Sequence, residues 1–136
     1  MSYGVSSALQ TAVFQRLQGD AALAGLIGID VFDAAPSGTV PTTYVSLGPE
    51  DVRDASDKTA AGAVHEFTVS VVTEAAGFSG AKTVAAAVSD ALVDAPLTLA
   101  RGRLVSLGFL KARAKRVQDG DVRRIDLRFR ARVEDN

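Results

Sequence analysis

Apolar and polar residues alternate most regularly between residues 104 and 133, and this stretch predicts one long β-hairpin. Asp119-Gly120 supplies the turn, because both residues tolerate the positive φ that a two-residue hairpin turn requires. Pairing outward from it puts Val117 opposite Val122, Ala114 opposite Ile125, Ala112 opposite Leu127 and Leu110 opposite Phe129. Side chains alternate along a strand, so the last three pairs share one apolar face, predicted to lie buried under helices. The other face carries Lys115 across from Arg124, Arg113 across from Asp126 and Lys111 across from Arg128, with Arg130 and Arg132 continuing the row. A slip of one residue would bury the arginines, so the pattern selects this register. One irregularity stands out. Val105, Leu107 and Phe109 share parity with Lys111, Arg113 and Lys115, which predicts either a β-bulge near Gly108 or a segment buried on both sides.

The rest of the chain reads as the layers that cover this hairpin. Residues 5–17 form an amphipathic helix with Val5, Ala8, Leu9, Ala12, Val13 and Leu17 on one face, stopped at Gly19. Asp20 caps a short second helical piece over 21–26 that ends at Gly28. Residues 31–33 are a short strand, and Pro36, Gly38 and Pro41 mark a loop. Residues 42–47 have the β-branched and aromatic content of a strand, closed by Gly48-Pro49. Residues 50–62, with Glu50, Asp51, Arg53, Asp54, Asp57 and Lys58, read as an exposed, mobile loop that contacts a partner. Residues 64–73 are a strand with Phe67, Val69 and Val71 facing one way and Glu66, Thr68 and Ser70 the other. Residues 78–95 are the second main helix, with Ser79 as its N-cap, a stripe of Ala81, Val84, Ala85, Val88, Ala91 and Leu92, and Pro96 as its stop. The expected fold class is therefore α+β: one domain of two layers, a mainly antiparallel sheet with a long C-terminal hairpin and two main helices on one face.

Charge changes this picture more than composition does. The formal net charge is only -1, yet residues 101–132 hold eleven bases against Asp119, Asp121 and Asp126. The first hundred residues hold four bases and an acidic excess. Such asymmetry predicts either a polyanion partner or a basic surface that meets an acidic one on another copy of the chain. The chain has no cysteine, which excludes disulfides and thiol chemistry. No apolar run approaches the roughly 18 residues of a membrane helix, so no membrane is expected, and Met1-Ser2-Tyr3-Gly4 lacks the regions of a signal peptide.

Candidate chemistry is thin. His65 is the only histidine, and beside Glu66 at a strand start it reads as structural. No metal-ligand spacing, nucleophile elbow or glycine-rich phosphate loop is present, so no enzyme and no cofactor are expected. The basic face of Lys111, Arg113, Lys115, Arg124, Arg128 and Arg130 remains. Single-strand readers stack bases on exposed aromatics, whereas the six Phe and two Tyr fall mostly at apolar-face or turn positions. Two readings stay open: backbone-level attraction to DNA by a small α+β nucleic-acid-binding module, or pairing with acidic groups such as Asp51, Asp54 and Asp57 of a neighbouring subunit.

Nearly the whole chain also resembles the tail completion, or tail terminator, proteins of long-tailed bacteriophages and gene transfer agents. The likeness runs from Ala8-Leu9-Gln10 through Leu17 and Asp20-Ala21-Ala22-Leu23 to Val31-Phe32-Asp33 and Pro-Thr-Thr-Tyr-Val-Ser-Leu-Gly over residues 41–48. It continues with the strand over 65–73 and the Ala-rich helix over 81–92, and closes on Leu127-Arg128-Phe129-Arg130. Val72 departs from it, since relatives often carry a tryptophan there. The resemblance implies a ring, usually a hexamer, that caps the finished tail tube and ends its polymerisation. The same resemblance implies contact with the tail tube protein and with a head-side connector or stopper protein. DNA would pass through the lumen, and the ring would sit at the head-proximal end of the tail in a particle made in the bacterial cytoplasm.

Overall fold

The computed structural model describes residues 3–117 and 120–135. Strands β1 (Val31–Phe32), β2 (Thr43–Asp54), β3 (Gly62–Thr73), β4 (Arg103–Val117) and β5 (Val122–Glu134) form one sheet in the order β1-β2-β3-β5-β4. Only β1 runs parallel to its neighbour; the other pairings are antiparallel. Helices α1 (Ser6–Gln18), α2 (Ala21–Ile27) and α3 (Ser79–Leu92) make the second layer. The α+β architecture is as the apolar pattern predicts.

The helices form where expected. Val5, Leu9, Ala12, Val13 and Leu17 of α1 and its cap are buried, and the whole predicted stripe of α3 is buried. Asp20 caps α2 by accepting from the Leu23 amide at 3.0 Å, and Gly28 closes it at φ +62°. Arg16 in the last turn of α1 donates to the Ala91 carbonyl at 2.9 Å, which ties α1 to the end of α3. Two details differ. Ser79 is the first residue of α3 and makes no cap, Phe78 preceding it. The helix also ends at Leu92 rather than running to Pro96, because Val93 turns to extended backbone and Asp94 adopts φ +56°.

Odd-numbered residues of β3 and β5 face the helices. Ala63, His65, Phe67, Val69 and Val71 lie opposite Val133, Ala131, Phe129, Leu127 and Ile125, and all are buried. Phe129 is the centre of this core, stacked on Phe67 at 5.7 Å and met edge-on by Phe109 at 5.9 Å.

The hairpin register holds from Val117↔Val122 to Lys111↔Arg128 and then shifts. Phe109, not Leu110, lies opposite Phe129, and Leu110 is the extra residue of a bulge. A second shift falls between Leu104 and Ser106. These bulges resolve the parity conflict: Leu107 and Phe109 face the helices while Lys111, Arg113 and Lys115 face away. Leu110, Ala112 and Ala114 of the expected apolar face are exposed instead. β4 is the sheet edge, and the helices pack chiefly on β3 and β5. At the hairpin tip, Gly120 has φ +91°, while Asp119 lies outside the described residues.

The expected loop over 50–62 is strand at its start, over 50–54, and again at Gly62. β2 continues through a bulge at Gly48-Pro49, and Glu50, Asp51, Val52, Arg53 and Asp54 pair with Phe67, Glu66, His65, Val64 and Ala63. Only residues 55–61 form the turn. It is ordered by its own groups: Asp57 Oδ1 accepts from the amides of Thr59 and Ala60 at 2.8 and 2.9 Å, and the Ala55 amide bonds the Gly62 carbonyl.

Candidate functional site

The sheet face turned away from the helices carries the charge. Cross-strand rows run from β2 to β4: Asp51–Glu66–Arg130–Gly108, Ser46–Ser70–Asp126–Arg113 and Tyr44–Val72–Arg124–Lys115. Between the first two, Thr68, Arg128 and Lys111 form a further row. The expected basic residues Lys111, Arg113, Lys115, Arg124, Arg128 and Arg130 thus do share one face of β4 and β5. Long side chains over β3 explain why Thr68, Ser70 and Val72 are buried on a polar face.

That face is less uniformly basic than the hairpin alone suggests. Asp126 accepts from Ser70 Oγ at 2.6 Å and from Arg124 Nε at 2.8 Å, with Lys115 Nζ at 3.8 Å. Burial pushes the Asp126 carboxyl up, but the Ser70 and Arg124 hydrogen bonds and the two positive charges outweigh it and hold it below the ordinary aspartate value. Arg128 reaches across β3 to Asp51 at 3.0 Å and Glu66 at 3.4 Å. Asp51, expected to meet a neighbour, is therefore engaged by an arginine of its own chain, though its side chain stays 81% exposed.

Other residues of the expected contact loop are also redirected. Asp54 accepts from Ser56 Oγ at 2.6 Å, and Asp57 orders the turn; both carboxyls sit below their ordinary values, Asp54 through Ser56 and Asp57 through Thr59 and Ala60. Glu50 faces the helices rather than solvent. Its carboxylate accepts from Tyr3 Oη and Ser6 Oγ, both at 2.5 Å, and lies 3.4 Å from Nδ1 of the fully buried His65. Burial raises the Glu50 carboxyl, yet Ser6, Tyr3 and His65 together leave it lowered. Arg53 and Lys58 stay exposed.

After these pairings, Lys111, Arg113 and Arg130 are exposed and have no acidic partner among the described residues. An open groove of about 540 Å³ runs between Pro49 and Thr68 on one side and Lys111, Arg113, Lys115 and Arg128 on the other. It offers positive charge and hydrogen-bond donors, which suits a carboxylate-bearing or phosphate-bearing surface. Among the described residues no three His, Cys, Asp or Glu side chains are grouped to hold a metal ion.

The sheet is thus apolar beneath the helices and presents a broad charged surface on its open face. Residues 11–134 match the model of the tail completion protein gp17 family, and the chain belongs to that family. Its role is that of a tail structural protein. It is 66% identical to a chain in the solved structure of the virion of a native gene transfer agent (GTA) particle. That likeness covers 98% of this chain and 99% of the other, with a TM-score of 0.93. Among curated protein sequences none matches the chain. The resemblance drawn from the sequence is thus borne out.

Proposed function

We propose that the protein is the tail terminator of a phage-like or gene transfer agent particle. Copies join head to tail into a closed ring, a hexamer, that caps the tail tube and ends its growth. The ring presents the tail to the head-side connector at the head-proximal end, and DNA passes through its lumen. The role is structural and involves no catalysis.

The observation that carries this reading is the residual charge separation. Lys111, Arg113 and Arg130 remain exposed with no ion pair among the described residues, while β2, at the other side of the sheet, exposes Asp51 and Asp54. A nearly neutral chain with separated bases and acids neutralises itself through heterologous contacts, and such contacts make rings when the rotation closes. The GTA virion chain supports the particle as the setting.

Charge reversal tests this. Arg128 is a poor choice, since a carboxylate there would face Asp51 and Glu66 and unsettle the fold itself. Arg130 stands across from Glu66 and Arg113 across from Asp126, so these two are neutralised, while Lys111, across from Arg128, is reversed. In sedimentation velocity the wild type is expected to run as one closed oligomer. The Lys111→Glu/Arg113→Gln/Arg130→Gln variant should run mainly as monomer with unchanged circular dichroism. An unchanged oligomer in the triple variant would remove the basic face from the subunit boundary.

A further inference from the structure

We infer that the subunits join edge to edge, the free edge of β4 adding in antiparallel fashion to the free edge of β2 in a second copy. This rests on the ring reading above and names the strands that would build it.

The sheet order leaves two long unpaired edges. β4 is the last strand; the Asp94 amide donates to its Leu107 carbonyl at 2.9 Å, and from Gly108 to Val117 its outer side has no backbone partner among the described residues. At the other end β1 covers only Val45 and Ser46, so β2 has an open outer side from Leu47 to Asp54 among the described residues. An open edge presents unpaired N–H and C=O groups and invites another strand, unless it is short, bent or repelled by charge. β4 is not short. It also leaves apolar surface uncovered at Val105, Phe109 and Leu110, which are 43%, 48% and 43% exposed.

Charge chooses the occupant. β4 contains Arg103, Lys111, Arg113, Lys115 and Arg116 and no acid, so two β4 edges repel each other. The open part of β2 exposes Asp51 and Asp54 against Arg53 alone, Glu50 being turned to the helices. The two edges of one chain are therefore complementary to each other and neither is complementary to itself. That excludes a two-fold pairing of like edges and favours a heterologous one.

Strand direction agrees. β2, β3, β5 and β4 alternate in direction, so β2 and β4 of one subunit run opposite ways. Rotation about a ring axis lying along the strands leaves each direction unchanged. The new neighbours, β4 of one copy and β2 of the next, are then antiparallel, and closure removes every long edge. Asp51 lies on the same sheet face as Lys111, Arg113 and Lys115, so the acid would stand beside a base across the new seam.

The chain has no native cysteine, so engineered pairs report the seam without background. Asp51→Cys is combined in turn with Lys111→Cys, Arg113→Cys and Lys115→Cys, and each purified protein is oxidised. One of the three pairs should give a ladder of covalent multimers on non-reducing gels, reversed by dithiothreitol, while the single-cysteine proteins reach dimer at most. A disulfide needs Cβ atoms about 3.5–4.5 Å apart, so register makes one pair outperform the others. If sedimentation shows closed oligomers but all three pairs stay uncrosslinked, the edge pairing is wrong and the ring reading stands. If the parent chain stays monomeric at every concentration, both fall.

Discussion

Phe129→Ala is expected to destabilise the chain by about 3–5 kcal/mol. Phe129 is fully buried in the central antiparallel pair, with Phe67 on β3 stacked on one side and Phe109 on β4 edge-on to the other. Its ring thus joins three strands, and the layer above it is a helix built largely from small residues, Ala81, Ala85, Ala87 and Ala91. Alanine cannot move to fill the space, because helix and sheet are held elsewhere by Val84, Val88 and Leu92. A cavity remains and adds to the lost transfer energy. Domains of this kind are stable by about 5–15 kcal/mol, so the change removes a large share. Urea unfolding of the isolated subunit measures it; a loss under about 1 kcal/mol would place Phe129 outside the core.

Glu50→Ala is expected to cost about 1–3 kcal/mol and to loosen the start of α1. Three groups from distant parts of the chain converge on this carboxylate: Tyr3, Ser6 and His65. Nε2 of His65 already has no partner among the described residues, so removal of Glu50 would leave a fully buried imidazole with neither nitrogen satisfied. The same site predicts an acid response. Glu50 and Asp126 are both held below their ordinary values in the folded chain, so below about pH 4 the unfolded chain takes up protons that the folded chain does not. Their contribution is full above that range and is lost as pH falls through the lowered folded values. Stability measured from pH 6 down to pH 3 should fall more steeply in the wild type than in Glu50→Gln/Asp126→Asn. Parallel curves would mean that neither carboxylate is linked to folding.

What the sequence revealed and what it hid follow one physical rule. β3 and β5 lie inside the sheet, each with one face under helices, so alternation alone places Phe67, Val69, Ile125, Leu127 and Phe129 correctly. Edge strands have less burial to encode. Residues 50–54 look like a loop because β2 is solvated along its outer side, and Asp51, Arg53 and Asp54 are exposed there. In β4 the bulges at Leu110 and near Val105 change face without changing composition, so Leu110 reads as core while standing 43% exposed. Glu50 had a signal in the chain: His65 shares parity with Phe67 and Val69, and a core-facing histidine needs a polar partner. The charged face was legible as a row of bases, but its neutralisation was not. Asp51 and Glu66 reach Arg128 only because β2, β3 and β5 are adjacent in the sheet, although distant in sequence.

If the proposed ring forms, negative-stain imaging of the purified protein at low salt will show it. End-on views with one subunit number and a central channel are expected, dispersing as salt rises because the seam carries opposed charges. Particles that remain monomeric as concentration increases, or that grow into open filaments without closing, would contradict it.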